Sequence, residues 1–546
     1  MMYVLQNIPY FLVLIGPLVF FHELGHFTAA KLCGIRVLKF SLGFGPKLIG
    51  FRRGETEYVI AAIPLGGFVK MWGEDPTQDL PAQERKGSFS HASLAKRTAI
   101  VSAGPIANLI LASLVYACFY VGPIQEDSTR IGLVMPGEPA AQAGLKPGDE
   151  IVSVDGKPMH YWVDLYNTIQ HNRGEPMAVQ VKRGGHDVAL TISPKQVDER
   201  DELGQPAVHG KIGISSQYLA PLIDVADSKS PAAVAGLQTG DEITAVGTTP
   251  VKRWDDLAAL LTTPGPVAVT YSRAGKSQST TLTLVANAAP LADRYLRPEA
   301  PTVLSGITSF DARVETVVAD SPAAKAGLTP GDRLIAVDGR PIVAWRFDLA
   351  ALNGADARRE FTLDFARGDQ VFHKSLKLEE QEQTDELKQT TKAYVFGAAN
   401  DPHSLRADLV ERHYGIFGAL KEGVAETYHM SALTLRGLGL MLTGKIAMSN
   451  VGGPVMLFVM AEKSATRGIL VFLKVMALIS VNLGVFNLLP VPVLDGGHLV
   501  FIAAEAVGRR PIPMRVRESA LKVGMALLLL LMIVAFHNDI VRFIIG

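Results

Sequence analysis

The chain has 546 residues, 53 basic and 53 acidic, so its formal charge is zero and no block of like charge suits a nucleic acid. Hydrophobic residues make up 48% and mean hydropathy is +0.21: too apolar for an ordinary soluble protein, too polar for one wholly in the bilayer. Two cysteines, Cys33 and Cys118, exclude a disulfide framework and a cysteine-based zinc site.

The first apolar run, residues 8–30, is broken only by the polar letters His22, Glu23 and His26. No small-residue cleavage site follows it, so it reads as a membrane span and not as a leader. Further spans are expected at 98–121, 469–489 and 520–536, each near the roughly 20 residues that cross about 30 Å of hydrocarbon. The loop between the first two carries Lys31, Arg36, Lys39, Lys47, Arg52, Arg53 and further basic residues, and Arg509, Arg510, Arg515 and Arg517 lie between the last two. The positive-inside rule puts both loops in the cytoplasm and the long middle region outside.

His22-Glu23-Leu-Gly-His26 is HExxH. On a helix its histidines, four apart, face one way and suit two adjacent positions on zinc, while Glu23 can take a proton from an activated water. Charges in an apolar span cost roughly 2.5–3.5 kcal/mol each on insertion scales, so such residues imply a task there. Within the following loop, Lys47 to Met71 is β-prone, with a turn at Phe51-Arg-Arg-Gly54 and a bend at Pro64-Leu-Gly66-Gly67-Phe68.

The middle region repeats itself about every 91 residues. The copies start at Glu138, Ser230 and Ser321, and each reads Pro-Ala-Ala, Ala-Gly-Leu, then Gly-Asp. Pro opens a short helix, Gly144, Gly236 and Gly327 stop it in the left-handed region, and Gly-Asp turns the chain into a strand. The pattern resembles bacterial PDZ domains, expected at 128–195, 211–286 and 303–377. That likeness implies capture of extended peptides or C-termini on a sheet edge, or a role as spacer or size filter. Residues 379–392 read as a polar linker. The stretch 405–461 is amphipathic, and surface helices and a fifth span both remain open for it.

A catalytic zinc requires a third protein ligand. The candidate is Asp495, in Asn487-Leu-Leu-Pro490-Val-Pro492-Val-Leu-Asp495-Gly-Gly. The prolines end the third span in an extended segment, and span orientation delivers Asp495 at the same depth as HExxH. His498 is the rival ligand.

HExxH in a first span with this Asn-x-x-Pro-x-Pro-x-Leu-Asp-Gly-Gly motif at the third resembles the site-2 protease family of intramembrane metalloproteases, over nearly the whole chain. The resemblance implies zinc on His22, His26 and Asp495, with Glu23 as general base. It implies substrate contacts from Asn482, Asn487, Pro490 and Pro492, and from Gly66, Gly67 and Phe68 of a β-element dipping into the bilayer. The family's best-known member carries two PDZ copies, and this chain carries three. The fold expected is a polytopic α-helical membrane core of four spans with that β-element, plus α+β PDZ-like domains outside. Its parts are a first membrane half at 1–127, the three repeats, a linker with amphipathic helices at 378–465, and a second membrane half at 466–546. The implied role is regulated proteolysis in a bacterial inner membrane. The implied partners are single-pass membrane substrates such as an anti-sigma factor, or remnant signal peptides. Two rivals stand beside it: an inactive PDZ scaffold, and a tethered soluble-type protease with HExxH outside.

Overall fold

The computed structural model describes residues 2–74, 85–225, 228–286, 303–304, 306–342, 344–349, 360–368, 370–384, 390–510 and 512–545. The chain divides into two compact units. One is Met1–Ile124, Thr384–Gln389 and His413–Gly546; the other is Gln125–Gln383 and Thr390–Arg412.

The first unit contains α1 (Met2–Leu32), α2 (Leu94–Cys118), α3 (Ile416–Leu442), α4 (Pro454–Thr466), α5 (Ile469–Asn487), α6 (Asp495–Gly508) and α7 (Met514–Ile540). Among the described residues, four helical stretches are long and apolar enough to cross a membrane: Ile8–Leu32, Leu94–Cys118, Ile469–Asn487 and Met514–Phe543. Small residues allow the helices to approach closely, as membrane packing requires where no hydrophobic force separates helix from lipid. A methyl group on Gly25 of α1 would overlap the Ala103 carbonyl of α2, and one on Gly484 of α5 would crowd Leu109 and the Pro105 carbonyl. Phe11 stacks on Phe458 with ring centroids 4.0 Å apart, joining α1 to α4, over a core of Leu14, Leu18, Ala461, Phe472 and Met476.

α3 belongs to the stretch whose placement the composition left open. Lys421, Glu422, Glu426 and Arg436 interrupt it, and it is not among the four membrane-length helices. It lies along α2, where Ser113 Oγ donates to Thr427 Oγ1 at 3.0 Å. The buried Asp539 of α7 accepts from the backbone N–H groups of Gly453 (2.9 Å) and Val455 (2.8 Å), satisfying donors at the start of α4.

Between α1 and α2, β1 (Val37–Arg53) and β2 (Thr56–Met71) form an antiparallel element that folds on itself. Residues 39–42 pair on one side with 57–60 and on the other with 67–70. The expected short strands are therefore two long bent ones. Phe44, Leu48, Ile49, Phe51, Ile60 and Ile63 are exposed on this element, a concentration of apolar surface that soluble proteins avoid.

The second unit contains three modules built alike. Their sheets run Glu150–Ile192, Glu242–Ala286 with Val303–Leu304, and Arg333–Lys377. The repeat motif's glycines have φ of 81°, 82° and 88° at Gly144, Gly236 and Gly327, as their stop function demands. Ser230 and Ser321 cap their helices by accepting from Ala233 and Ala324 N–H at 3.2 Å. Glu138 makes no such bond.

The motif's aspartate has a structural task that the repeat alone did not disclose. Asp149, Asp241 and Asp332 are each 1% exposed and accept a backbone N–H within their own turn at 2.8 Å. Each also takes a two-pronged bond from Arg183, Arg273 or Arg367, both prongs at 2.7 Å. The same arginines donate to the carbonyls of Gly144, Gly236 and Gly327. Planar guanidinium pairing of this kind ties the helix stop to the hairpin end of the sheet.

Each module is completed by a strand that follows its sheet. Leu133–Val134 pairs with Ile214–Ser215, Ile223–Asp224 with Thr308–Ser309, and Thr316–Val317 with Ala398–Ala399. The closing strand of the first module thus lies within the segment expected for the second, because a strand finds its partner in space and not in chain order. Residues 379–384 and 390–395, expected as part of a polar linker, form two paired strands; 385–389 lie outside the described residues. At Asp408, burial raises the carboxyl pKa, but bonds from Lys252 (2.6 Å) and Arg253 (2.7 Å) outweigh it and hold the group below the usual aspartate range.

Candidate active site

His22 and His26 share one face of α1, and the Pro490–Pro492 segment brings Asp495 to them. That segment is a tight turn where an extended stretch was expected. Val491 N–H donates to Leu489 O at 2.7 Å and Leu494 N–H to Val491 O at 2.9 Å, and α6 starts at Asp495. The turn exists because Gly496 and Gly497 have no side chain: a methyl on either would overlap the carbonyl of Leu489 or Val491.

Three atoms converge. His22 Nε2 and His26 Nε2 lie 3.3 Å apart, and Asp495 Oδ2 lies 3.3 Å from the first and 3.4 Å from the second. Three ligand atoms on one zinc, at bond lengths of about 2.0–2.1 Å and near-tetrahedral angles, stand about 3.3–3.4 Å apart. His26 Nδ1 is 2.8 Å from the Ile100 carbonyl, which can only accept. Nδ1 therefore carries a proton, and in the neutral ring this leaves the lone pair on Nε2, the atom that faces the shared point. A cation at the shared point would satisfy that lone pair and the carboxylate oxygen together, so the residues fit a bound metal.

Among the described residues this is the single group of three such side chains whose ligand atoms all lie within 4.8 Å of one another, and His498 is not part of it. The His498 ring instead meets Phe501 edge-on, with centroids 6.4 Å apart.

Glu23 is 8% exposed and beside the triad in sequence. The β-element covers it: a methyl on Gly67 would come 2.8 Å from Glu23 Cγ and from the Ser41 carbonyl. Gly67 thereby brings backbone, with no side chain between, up to the Glu23 side chain. Gly66 takes φ of +105°. Phe68 stacks on Phe44 at 6.1 Å, with Lys39 Nζ 5.6 Å from its ring. Among the described residues no further strand pairs with the outer edge of 67–70, which is left open to an extended chain, while Met71 N–H is taken by Glu74 Oε2 at 3.1 Å.

Of the other candidates, Asn482 is partly engaged: its Oδ1 accepts from Thr434 Oγ1 of α3 at 2.8 Å. Asn487 ends α5. Pro492 packs toward Gly524 of α7, where an added methyl would meet its ring at 3.1 Å.

Sequence reasoning missed the contribution of α2. Gly104 leaves room for the His26 imidazole; a methyl there would overlap Nε2 and lie 2.6 Å from Cε1. Asn108, fully buried, stands 3.2 Å from His22 Nδ1. Ile100, Gly104 and Asn108 are spaced by four and so share one face. An asparagine at that spacing in an apolar span was the available signal.

Two imidazoles and a carboxylate around one point, a neighbouring acid, and a setting among membrane-length helices together define a metal-dependent hydrolase of the membrane. The comparison with known proteins agrees: residues 10–531 match Peptidase family M50, and the chain belongs to that family. It is 32% identical to a protein of Neisseria meningitidis that carries the name of a zinc metalloprotease, over 97% of this chain and 98% of that one. It is 30% identical to the regulator of sigma E protease of Salmonella typhi, covering 99% and 100%. It is 29% identical to that of Escherichia coli K12, covering 98% and 99%.

Proposed function

We propose that this peptidase is a zinc endopeptidase that cuts transmembrane segments of membrane-bound regulators within the bilayer. The observation that carries the reading is the ligand triangle of His22, His26 and Asp495 beside Glu23, within a helix of membrane length. The two Nε2 atoms and Asp495 Oδ2 hold the zinc. Zinc in such a site supplies Lewis acidity toward a carbonyl oxygen and toward water near neutral pH. Glu23 accepts the proton that water gives up and returns it to the departing amine.

A peptide bond inside a helix is shielded, so the substrate must unwind before it is cut. Residues 66–68 hold it extended by strand addition to the open edge. The exposed apolar side chains of the β-element support an edge set in the bilayer, where irregular backbone is tolerated beside a wet cavity. Asn482, Asn487, Pro490 and Pro492 line the opposite side of the substrate. Thr434 Oγ1 holds one end of the Asn482 amide at 2.8 Å, and the other end is left to bind the substrate backbone.

The basic loops favour a triad near the cytoplasmic face of a bacterial inner membrane with the second unit outside. The three modules are PDZ-like domains that exclude untrimmed substrates or receive new C-termini. An anti-sigma factor is the natural substrate class, given relatives named for sigma E regulation. An inactive scaffold would have no reason to keep a complete ligand set with its adjacent acid.

Incubating detergent-purified protein with a single-pass model substrate, and mapping the products by mass spectrometry, tests this reading. The cut is expected inside the apolar segment, toward its cytoplasmic end. Cleavage confined to flanking polar loops would overturn it.

A further inference from the structure

We infer that Asn108 is a positioning residue that fixes the metal-binding tautomer of His22 by accepting its Nδ1 proton. The inference rests on the metal-centre reading above and adds to it the group that orients the first ligand.

The two histidines are treated alike by α2. His26 Nδ1 meets the Ile100 carbonyl at 2.8 Å, and His22 Nδ1 meets the Asn108 carboxamide, through Nδ2, at 3.2 Å. For His26 the consequence is fixed by chemistry, since a carbonyl only accepts. For His22 it depends on which end of the amide faces the ring. His22 Nε2 points into the triangle, 3.3 Å from both His26 Nε2 and Asp495 Oδ2. To bind a cation there it must present a lone pair, so the ring proton sits on Nδ1. An N–H at Nδ1 cannot pair with an NH2 group, and the amide must offer Oδ1.

Nothing holds the carboxamide against turning that way. The structure sets Nδ2 of Asn108 toward the ring and leaves Oδ1 buried with no hydrogen-bond partner, and a half-turn of the amide plane exchanges the two. The backbone, by contrast, is pinned: Ser480 Oγ of α5 donates to the Asn108 carbonyl at 2.8 Å. Turned so, Asn108, fully buried between α1 and α5, sets its one free acceptor where a metal-binding imidazole has its one free donor. Partners of this kind orient ligand rings and raise their basicity, and losing one costs about 10–100-fold in metal affinity.

The test measures zinc affinity of the purified full chain by competition with a chromophoric chelator. It compares wild type with Asn108→Ala, Asn108→Leu and Asn108→Asp, and records thermal melting of each metal-free protein. Asn108→Ala leaves a void and Asn108→Leu fills it, so the two fail to fold for opposite reasons if they fail at all. Both are expected to bind zinc about 10–100-fold more weakly. Asn108→Asp keeps an acceptor in place and is expected to recover most of the affinity, a rescue that a packing role alone does not produce. Wild-type zinc affinity in Asn108→Ala or Asn108→Leu overturns the inference, as does an Asn108→Asp no better than either. A wild type that binds no zinc overturns the metal-centre reading itself.

Discussion

Glu23→Gln is expected to lower peptide-bond cleavage by about 10²–10⁴-fold while leaving zinc content unchanged. The substitution keeps the size of the side chain and its packing under the β-element, but an amide cannot take a proton from water. Glu23 is not one of the three converging ligands, so metal binding has no reason to fall with activity. Cleavage of a model substrate and metal analysis, made on one preparation, separate the two quantities. A variant that cleaves at the wild-type rate would show that another group serves as base. One that loses its zinc as well would show that Glu23 helps to build the site.

A comparable loss is expected from Gly104→Ala, by a different route. The added methyl would overlap His26 Nε2 and approach Cε1 and Cδ2 to 2.6 and 2.8 Å. The ring cannot swing aside without giving up the 2.8 Å bond from Nδ1 to Ile100 O, four residues earlier on the same helix. One ligand is therefore displaced, and zinc affinity falls by at least about 10–100-fold, with cleavage following it. Gly439→Ala in α3, where an added methyl meets nothing within 4 Å, is the control and leaves both unchanged. Zinc titration of the two variants decides the matter. Equal affinity would mean that α1 and α2 separate freely enough for the site to ignore the contact.

These two residues mark what could and could not be read in the sequence. HExxH stood out because His22, Glu23 and His26 are polar letters in an apolar run, and Asp495 because prolines and a glycine pair isolate it. Both signals are local, and the side chains of His22, His26 and Asp495 lie together in the structure. Gly104 is silent in sequence, since a glycine in a span is ordinary until the ring beside it is known. Asn108 is a polar letter in the second apolar run that was not singled out, and its partner is 86 residues away. The turn at Pro490–Pro492 was read as extended because proline bars a helix without dictating what replaces it. In the second unit the repeat motif announced three helix stops, and their φ values bear that out. The arginines that lock those stops, and the strands that close each module, depend on pairings that local pattern does not encode.

The central claim is that His22, His26 and Asp495 hold the metal on which cleavage depends. Counting zinc in purified wild type and Asp495→Ala, while assaying both on one transmembrane substrate, tests it most directly. The account predicts about one zinc per chain with cleavage in wild type, and Asp495→Ala depleted of metal and inactive. A full zinc complement with activity in Asp495→Ala, or cleavage by wild type stripped of metal, would contradict it.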